Sequence, residues 1–258
     1  FNKTNWTIDN GGIKMVSAVI FAGGIGQRMK SIDIPKQFLE IEGKPIIVRT
    51  MEHFSNHPMV DNMVVVCVEN WLDELKRDIE RFGIKKVIAT VPGGASGHQS
   101  IHNGLVEVDK IAQPDDIVLI CDGVRPMLSE QLITQCIEDA RKYGSAVPVT
   151  PSIDSVLYSE DGENCNKNYT RKKMFITQAP QGYTMEKIMW AHGEAEKRGM
   201  DPVSSGELLI ELGETIHIFQ GIRENIKVTT PEDLESLRAI QYYEHYKQFA
   251  KEVLKYGV

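Results

Sequence analysis

The chain has 258 residues, 41% hydrophobic and 25% charged, enough for one large α/β domain or two small ones whose core needs no disulfide or metal staple. A formal net charge of −7 argues against a broad surface for nucleic acid or anionic membrane, while a local basic pocket for phosphate stays compatible with an acidic exterior. Cys67, Cys121, Cys136 and Cys165 are scattered without a C-x-x-C pair and read as thiols of a reducing, cytoplasmic setting, and no run approaches the ~18 apolar residues of a membrane span.

Residues 1–14 have neither the basic start nor the apolar centre of a signal peptide. Met15 reads as the natural start, 1–14 as a poorly ordered extension and 15–258 as a single domain. Residues 16–21 form an apolar run that suits a buried strand, and it breaks into Ala22-Gly23-Gly24-Ile25-Gly26-Gln27-Arg28-Met29. Glycine lets backbone N–H groups approach an anion closely, and Arg28 with Lys36 of Pro35-Lys36-Gln37-Phe38 supplies cations. The stretch therefore reads as a polyphosphate cradle. It is not a dinucleotide fingerprint, because Met29 stands where G-x-G-x-x-G needs its third glycine, and the chain has no G-x-x-x-x-G-K-[ST].

Further along, residues 43–46 read as a turn, with Pro45 in the first turn of a helix reaching about 56. A strand at 63–68, a helix at 71–82 stopped by Gly83, and a strand at 86–91 follow. A second glycine-rich loop, 92–100, opens a helix at 100–108, whose N-terminus offers free N–H groups to a polar ligand; His98 reads as a solvated loop side chain. The buried strand 116–121 delivers Asp122, where an α/β enzyme would hold Mg²⁺ or another divalent cation, although an aspartate before glycine is also a common turn residue.

A helix is expected at 129–143 and a strand at 146–149. Residues 154–173 are polar and turn-rich, and the β segments flanking them, 155–158 and 174–176, suggest one projecting hairpin within an arm at about 152–178. A helix at 184–198 carries methionines and Trp190 as core or interface filler. After a strand at 215–220, Lys227 suits a phosphate clamp, whereas Glu224 reads as a solvated acid. Pro231, Glu232 and Asp233 are explained by the start of the final helix, 231–256, whose Tyr242, Tyr243 and Tyr246 are assigned to packing or dimer contact.

Several of these strings together resemble the IspD/TarI cytidylyltransferase family. They are A-G-G-x-G-x-R-M and P-K-Q-F at 22–29 and 35–38, the H-D-x-V-R-P pattern at 121–126 with Cys121 in place of histidine, and N-I-K-V-T-x-P-E-D-L at 225–234. The resemblance implies a Rossmann-like three-layer α/β/α nucleotidyltransferase fold with a mostly parallel mixed sheet and a projecting β-arm. It implies CTP and an alditol phosphate as substrates, and a homodimer built through the arm. Ala22, Gly23, Gly24 and Gly26 would wrap the triphosphate, Gly94 and Ser100 would hold the cytosine, and Arg28, Lys36, Asp122 and Lys227 would be catalytic, with Asp122 the metal ligand. Arg125, Arg171 and Thr177 would bind the acceptor.

Two departures bear on the substrate. Gly97 replaces a frequent arginine, and Ser204, in Val203-Ser204-Ser205, stands where methylerythritol-phosphate enzymes usually carry an acid. D-ribitol 5-phosphate is therefore the expected acceptor, with 2-C-methylerythritol 4-phosphate as the alternative. A nucleotide-binding subunit without catalysis is a third reading, against which Arg28, Lys36, Asp122 and Lys227 argue.

Overall fold

A computed structural model of the chain describes residues 14–24 and 34–255. Residues 1–13 of the expected extension and the stretch carrying Gly26 and Arg28 lie outside them. In chain order the elements are β1 (Val16–Ala22), β2 (Glu40–Ile41), β3 (Lys44–Pro45), α1 (Ile46–Asn56), β4 (Asn62–Cys67), α2 (Leu72–Arg81), β5 (Val87–Pro92), α3 (Gly97–Asp109) and β6 (Ile117–Asp122). Then come α4 (Glu130–Tyr143), β7 (Ser145–Pro151), β8 (Leu157–Tyr158), β9 (Lys167–Asn168), β10 (Phe175–Thr177), β11 (Gln181–Thr184), α5 (Met185–Arg198), α6 (Ser205–Glu211), β12 (Ile218–Gln220) and α7 (Pro231–Lys255).

The branched apolar runs pair as a parallel unit in the order β5-β4-β1-β6. β11 then joins β6 antiparallel and β7 joins β11 antiparallel, so the sheet is mixed but mostly parallel at its centre. Alternate residues of β1 face opposite layers, as the two-residue period of a strand requires. Val16, Ala18 and Ile20 pack with α1, α2 and α4 through Met51, Phe54, Leu75 and Ile133. Val19 packs on the other face with α3, α5 and α6 through Leu105, Ile188 and Leu208. Helices thus cover both faces, giving the three layers.

This order creates the crevice. From β1 the chain adds strands outward on one side, to β4 and β5, and only then returns across the sheet through α3 to β6 on the other side. Ligands of open α/β sheets bind at the carboxyl ends of strands where the order reverses, here between β1 and β6.

Two local expectations are corrected. Residues 44–45 are the second strand of a small hairpin, β2 with β3, whose turn Glu42-Gly43 has both residues at positive φ, and Ile46 begins α1. Strands of two residues carry too little period to be read from sequence. The segment around 174–176 does not pair with 155–158: β10 lies antiparallel along the end of β7, while β8 pairs with β9 to make the hairpin of the arm. Of the two roles expected of Tyr242, Tyr243 and Tyr246, their exposure leaves dimer contact. Among the described residues no helix is long and apolar enough to cross a membrane.

Candidate active site

The two glycine loops meet because neither carries a side chain where they touch. A side-chain carbon placed on Gly23 would lie 2.5 Å from Ser100 Oγ and 3.0 Å from the Gly93 Cα; one placed on Gly93 would lie 2.7 Å from the Gly23 Cα. The loop ending β1 is therefore seated directly on the loop ending β5. Ser100 holds the second loop from inside, since its buried hydroxyl accepts from the Gly94 N–H at 3.0 Å and donates to the Ser96 carbonyl at 2.9 Å. Ser96 in turn caps α3, accepting from the Gln99 N–H at 3.1 Å.

Pro35-Lys36-Gln37-Phe38 returns to the first loop through Gln37. Its buried Nε2 donates to the Ala22 carbonyl at 2.7 Å and to the Gly24 carbonyl at 3.4 Å, while Phe38 packs on Trp71. This tie places the turn carrying Lys36 beside the glycines. The sequence reading had Gln37 inside its motif but gave it no task, because a buried amide cannot be told from a solvated one by its type.

β6 delivers the charged part of the site. Asp122, 7% exposed, receives Arg125 Nε on Oδ2 at 2.8 Å and Lys227 Nζ on Oδ1 at 2.6 Å. Burial alone would push the Asp122 carboxyl up; the Arg125 guanidinium and then the Lys227 ammonium outweigh it and hold the group below the usual carboxylate range. Arg125 is buried as well and reaches on with Nη1 to the Asn225 carbonyl at 3.0 Å. Neighbouring Cys121 is fully buried, and burial raises its thiol, so it is an inert core residue. Cys67 and Cys136 are likewise buried and Cys165 is exposed, all four being free thiols.

Asp122, Arg125 and Lys227 line a cavity of about 210 Å³ together with Thr177, Ser204 and Ser205. The side wall is apolar, from Phe21, Ile101 and Ile120. Ser204 also caps α6, accepting from the Glu207 N–H at 3.2 Å. Three of the expected residues thus converge from β6, the loop after it and the segment before α7, and Thr177 joins them from β10. Arg171 does not: it is exposed on the arm, with Nη1 donating to the Ile153 carbonyl at 3.2 Å. Glu224 is exposed, in line with a solvated acid. Among the described residues no three histidine, cysteine, aspartate or glutamate side chains are grouped to hold a metal ion, and Asp122 is the one carboxylate lining the cavity.

His98 departs from its expected solvated role. It lies in the first turn of α3, and its ring stacks on His192 of α5 with centroids 4.2 Å apart, beside His102. Spacing four residues apart on one helix face brings His98 and His102 to the same neighbour, which sequence alone does not identify.

Glycine loops at the ends of parallel strands, a lysine-bearing turn tied to them, and a buried aspartate clasped by two cations define a nucleotidyltransferase of the α/β/α kind. Comparison with known proteins then gives the family. Residues 16–242 match the model of the 2-C-methyl-D-erythritol 4-phosphate cytidylyltransferase family, IspD, and the chain belongs to it. It is 40% identical over 223 residues to the ribitol-5-phosphate cytidylyltransferase of Streptococcus agalactiae serotype V, covering 86% of this chain and 93% of that one. It is 36% identical over 222 residues to the 2-C-methyl-D-erythritol 4-phosphate cytidylyltransferase of Clostridium acetobutylicum, covering 85% and 94%. The crystal structure of 4-diphosphocytidyl-2C-methyl-D-erythritol synthase from Anaerococcus prevotii superposes with a TM-score of 0.76 at 25% identity, covering 89% of this chain and 97% of that one. The chain is a cytidylyltransferase.

Proposed function

We propose that the chain transfers a cytidylyl group from CTP to D-ribitol 5-phosphate, giving CDP-ribitol and pyrophosphate. The observation that carries this reading is the cavity in which Asp122 sits between Arg125 and Lys227 while Ser204 and Ser205 take the place of an acidic wall. Uncharged hydroxyls suit a polyol, and relatives named as ribitol-5-phosphate cytidylyltransferases at 36–40% identity support the choice.

An oxygen of the acceptor phosphate attacks the α-phosphorus of CTP. The new P–O bond forms as the bond to the bridging oxygen breaks, and that oxygen leaves with pyrophosphate, taking the electron pair. The acceptor phosphate is already ionised at neutral pH, so the protein needs no nucleophile or general base. Its task is to align the two phosphates and neutralise charge as it crowds. In this scheme the glycine loops, with Ala22, Gly23, Gly24, Gly26, Gly94 and Ser100, hold the nucleotide. Arg28, Lys36 and Lys227 face its phosphates, and Arg125 and Thr177 face the acceptor.

The reading implies one Mg²⁺, for which Asp122 would be the ligand, its Oδ2 and Oδ1 otherwise receiving Arg125 and Lys227. Such an ion uses one or two protein carboxylates and completes its shell with substrate phosphates and water, and Asp122 provides one carboxylate, already shared with two cations. When bound it would neutralise charge on the nucleotide phosphates.

The arm completes the proposal. Ile153, Leu157 and Ile176 leave more than half of their surface exposed, and Arg171 lies on the same segment, outside the cavity of its own chain. A second copy would cover these apolar side chains and bring its Arg171 to the acceptor phosphate.

The test is pyrophosphate release from CTP with each acceptor. Product from ribitol 5-phosphate supports the proposal; product from methylerythritol 4-phosphate alone replaces it with the isoprenoid reaction. CTP binding with no product from either supports a subunit without catalysis.

A further inference from the structure

Arg125 can face an acceptor only if its own position is fixed, and the structure shows what fixes it. Asp122 takes its Nε, but the far end of the guanidinium rests on a single backbone oxygen, that of Asn225. This oxygen belongs to the loop between β12 and α7, which has no strand partner of its own at that point. Further on, the Val228 N–H donates to the Val124 carbonyl at 3.0 Å, while at Asn225 itself the ties to the rest of the fold are made by side chains. Asn225 is 1% exposed, and its Nδ2 donates to the Ala179 carbonyl at 2.6 Å. Gln178, also buried, donates through Nε2 to the Ile222 carbonyl at 2.8 Å and to the Asn225 carbonyl at 3.4 Å. The fit is close enough that a side-chain carbon on Gly221 would overlap Gln178 Oε1.

We propose that Asn225 is a positioning residue for the acceptor: its side-chain amide fastens the loop to the segment joining β10 and β11, and its carbonyl thereby sets Arg125. The inference rests on the cytidylyl-transfer reading of the cavity. Two residues further on, the same loop carries Lys227, which has a tie of its own next to it, that of the Val228 N–H to the Val124 carbonyl. A buried amide at 2.6 Å is a strong tie, and its loss leaves the Ala179 carbonyl without that partner. The carbonyl that Arg125 needs is then left to the longer bond from Gln178, at 3.4 Å, and can shift.

The test is a double-mutant cycle on the whole protein, with Asn225→Ala, Arg125→Lys and the combination. Steady-state kinetics are measured with CTP and whichever of the two acceptors the wild type turns over. Asn225→Ala is expected to raise the acceptor KM about tenfold while leaving the CTP KM within about threefold. In the Arg125→Lys background the same change is expected to do almost nothing more, because its effect passes through Arg125. A lower fraction of folded enzyme would reduce kcat and leave KM alone. An unchanged acceptor KM in Asn225→Ala, or effects that multiply independently in the double variant, overturns the proposal. Should wild type turn over only methylerythritol 4-phosphate, the acceptor assignment falls while the cycle still decides the role of Asn225; should it turn over neither, both fall.

Discussion

Replacing Gly23 by alanine tests the seating of the two glycine loops. The backbone of Gly23 is outside the left-handed region, so alanine adds no conformational strain, and the change probes space alone. The new carbon would stand 2.5 Å from Ser100 Oγ, 3.2 Å from Ser100 Cβ and 3.0 Å from Gly93 Cα. Ordinary carbon contacts lie at about 3.5–4.0 Å, so the loops must separate by several tenths of an ångström and the hydroxyl must retreat further. Retreat strains the bonds from Gly94 and to Ser96, each worth about 0.5–1.5 kcal/mol, on top of an overpacking cost of about 1–3 kcal/mol.

A total of about 2 kcal/mol is a conservative sum, equivalent to a ~30-fold fall in kcat/KM for CTP if the transition state needs the loops in contact. The same cost would lower Tm by about 4–8 °C in a chain of this size. Pyrophosphate release at varied CTP, with thermal melts of the same samples, measures both. Adding Ser100→Ala removes the atom that clashes first, so the double variant should be better than the sum of the single effects by about 1 kcal/mol. Wild-type kinetics and an unchanged Tm in Gly23→Ala would refute the close seating, and strict additivity would refute the role of the Ser100 hydroxyl.

Asp122→Asn and Lys227→Met should each lower turnover by ~10²-fold or more while leaving a folded protein, checked by circular dichroism and initial rates. Retained turnover removes the residue from the mechanism. Ser96→Ala removes the cap of α3 and its bond to Asp201, and should cost about 1 kcal/mol in urea unfolding. His192 should make the fold acid-sensitive. Burial, followed by the neighbouring His98 and His102, lowers its pKa from 6.5 to about 3, so stability is complete above pH 6.5 and is lost as pH falls towards 3. By linkage the loss from this group is about 2 kcal/mol at pH 5, and urea melts of His192→Phe should show that much less acid sensitivity.

The parallel centre of the fold was legible because its strands are continuous apolar runs, three of the four running into glycine or aspartate, as in a sheet covered on both faces. Asp122 was legible for the same reason, as a charge at the end of such a run. Gln37, Gln178 and Asn225 were not assigned a task, since each works by burying an amide against a distant backbone carbonyl, and nothing in local sequence distinguishes that from solvation. The course of 174–176 was misread because a hairpin between neighbours is the simplest pairing, whereas β7 offered a longer edge.

The clasp around Asp122 also bears on how substrates arrive. Two cations against one carboxylate leave one formal positive charge at the mouth of the cavity, with Lys227 about half in solvent, on a chain whose net charge is −7. A highly charged anion meets an acidic surface overall and is attracted at this mouth, so encounters there are oriented before contact. Added salt screens both fields, within a Debye length of about 8 Å at physiological ionic strength. Capture of the nucleotide should therefore respond to ionic strength less through its overall rate than through the fraction of collisions that arrive phosphate first.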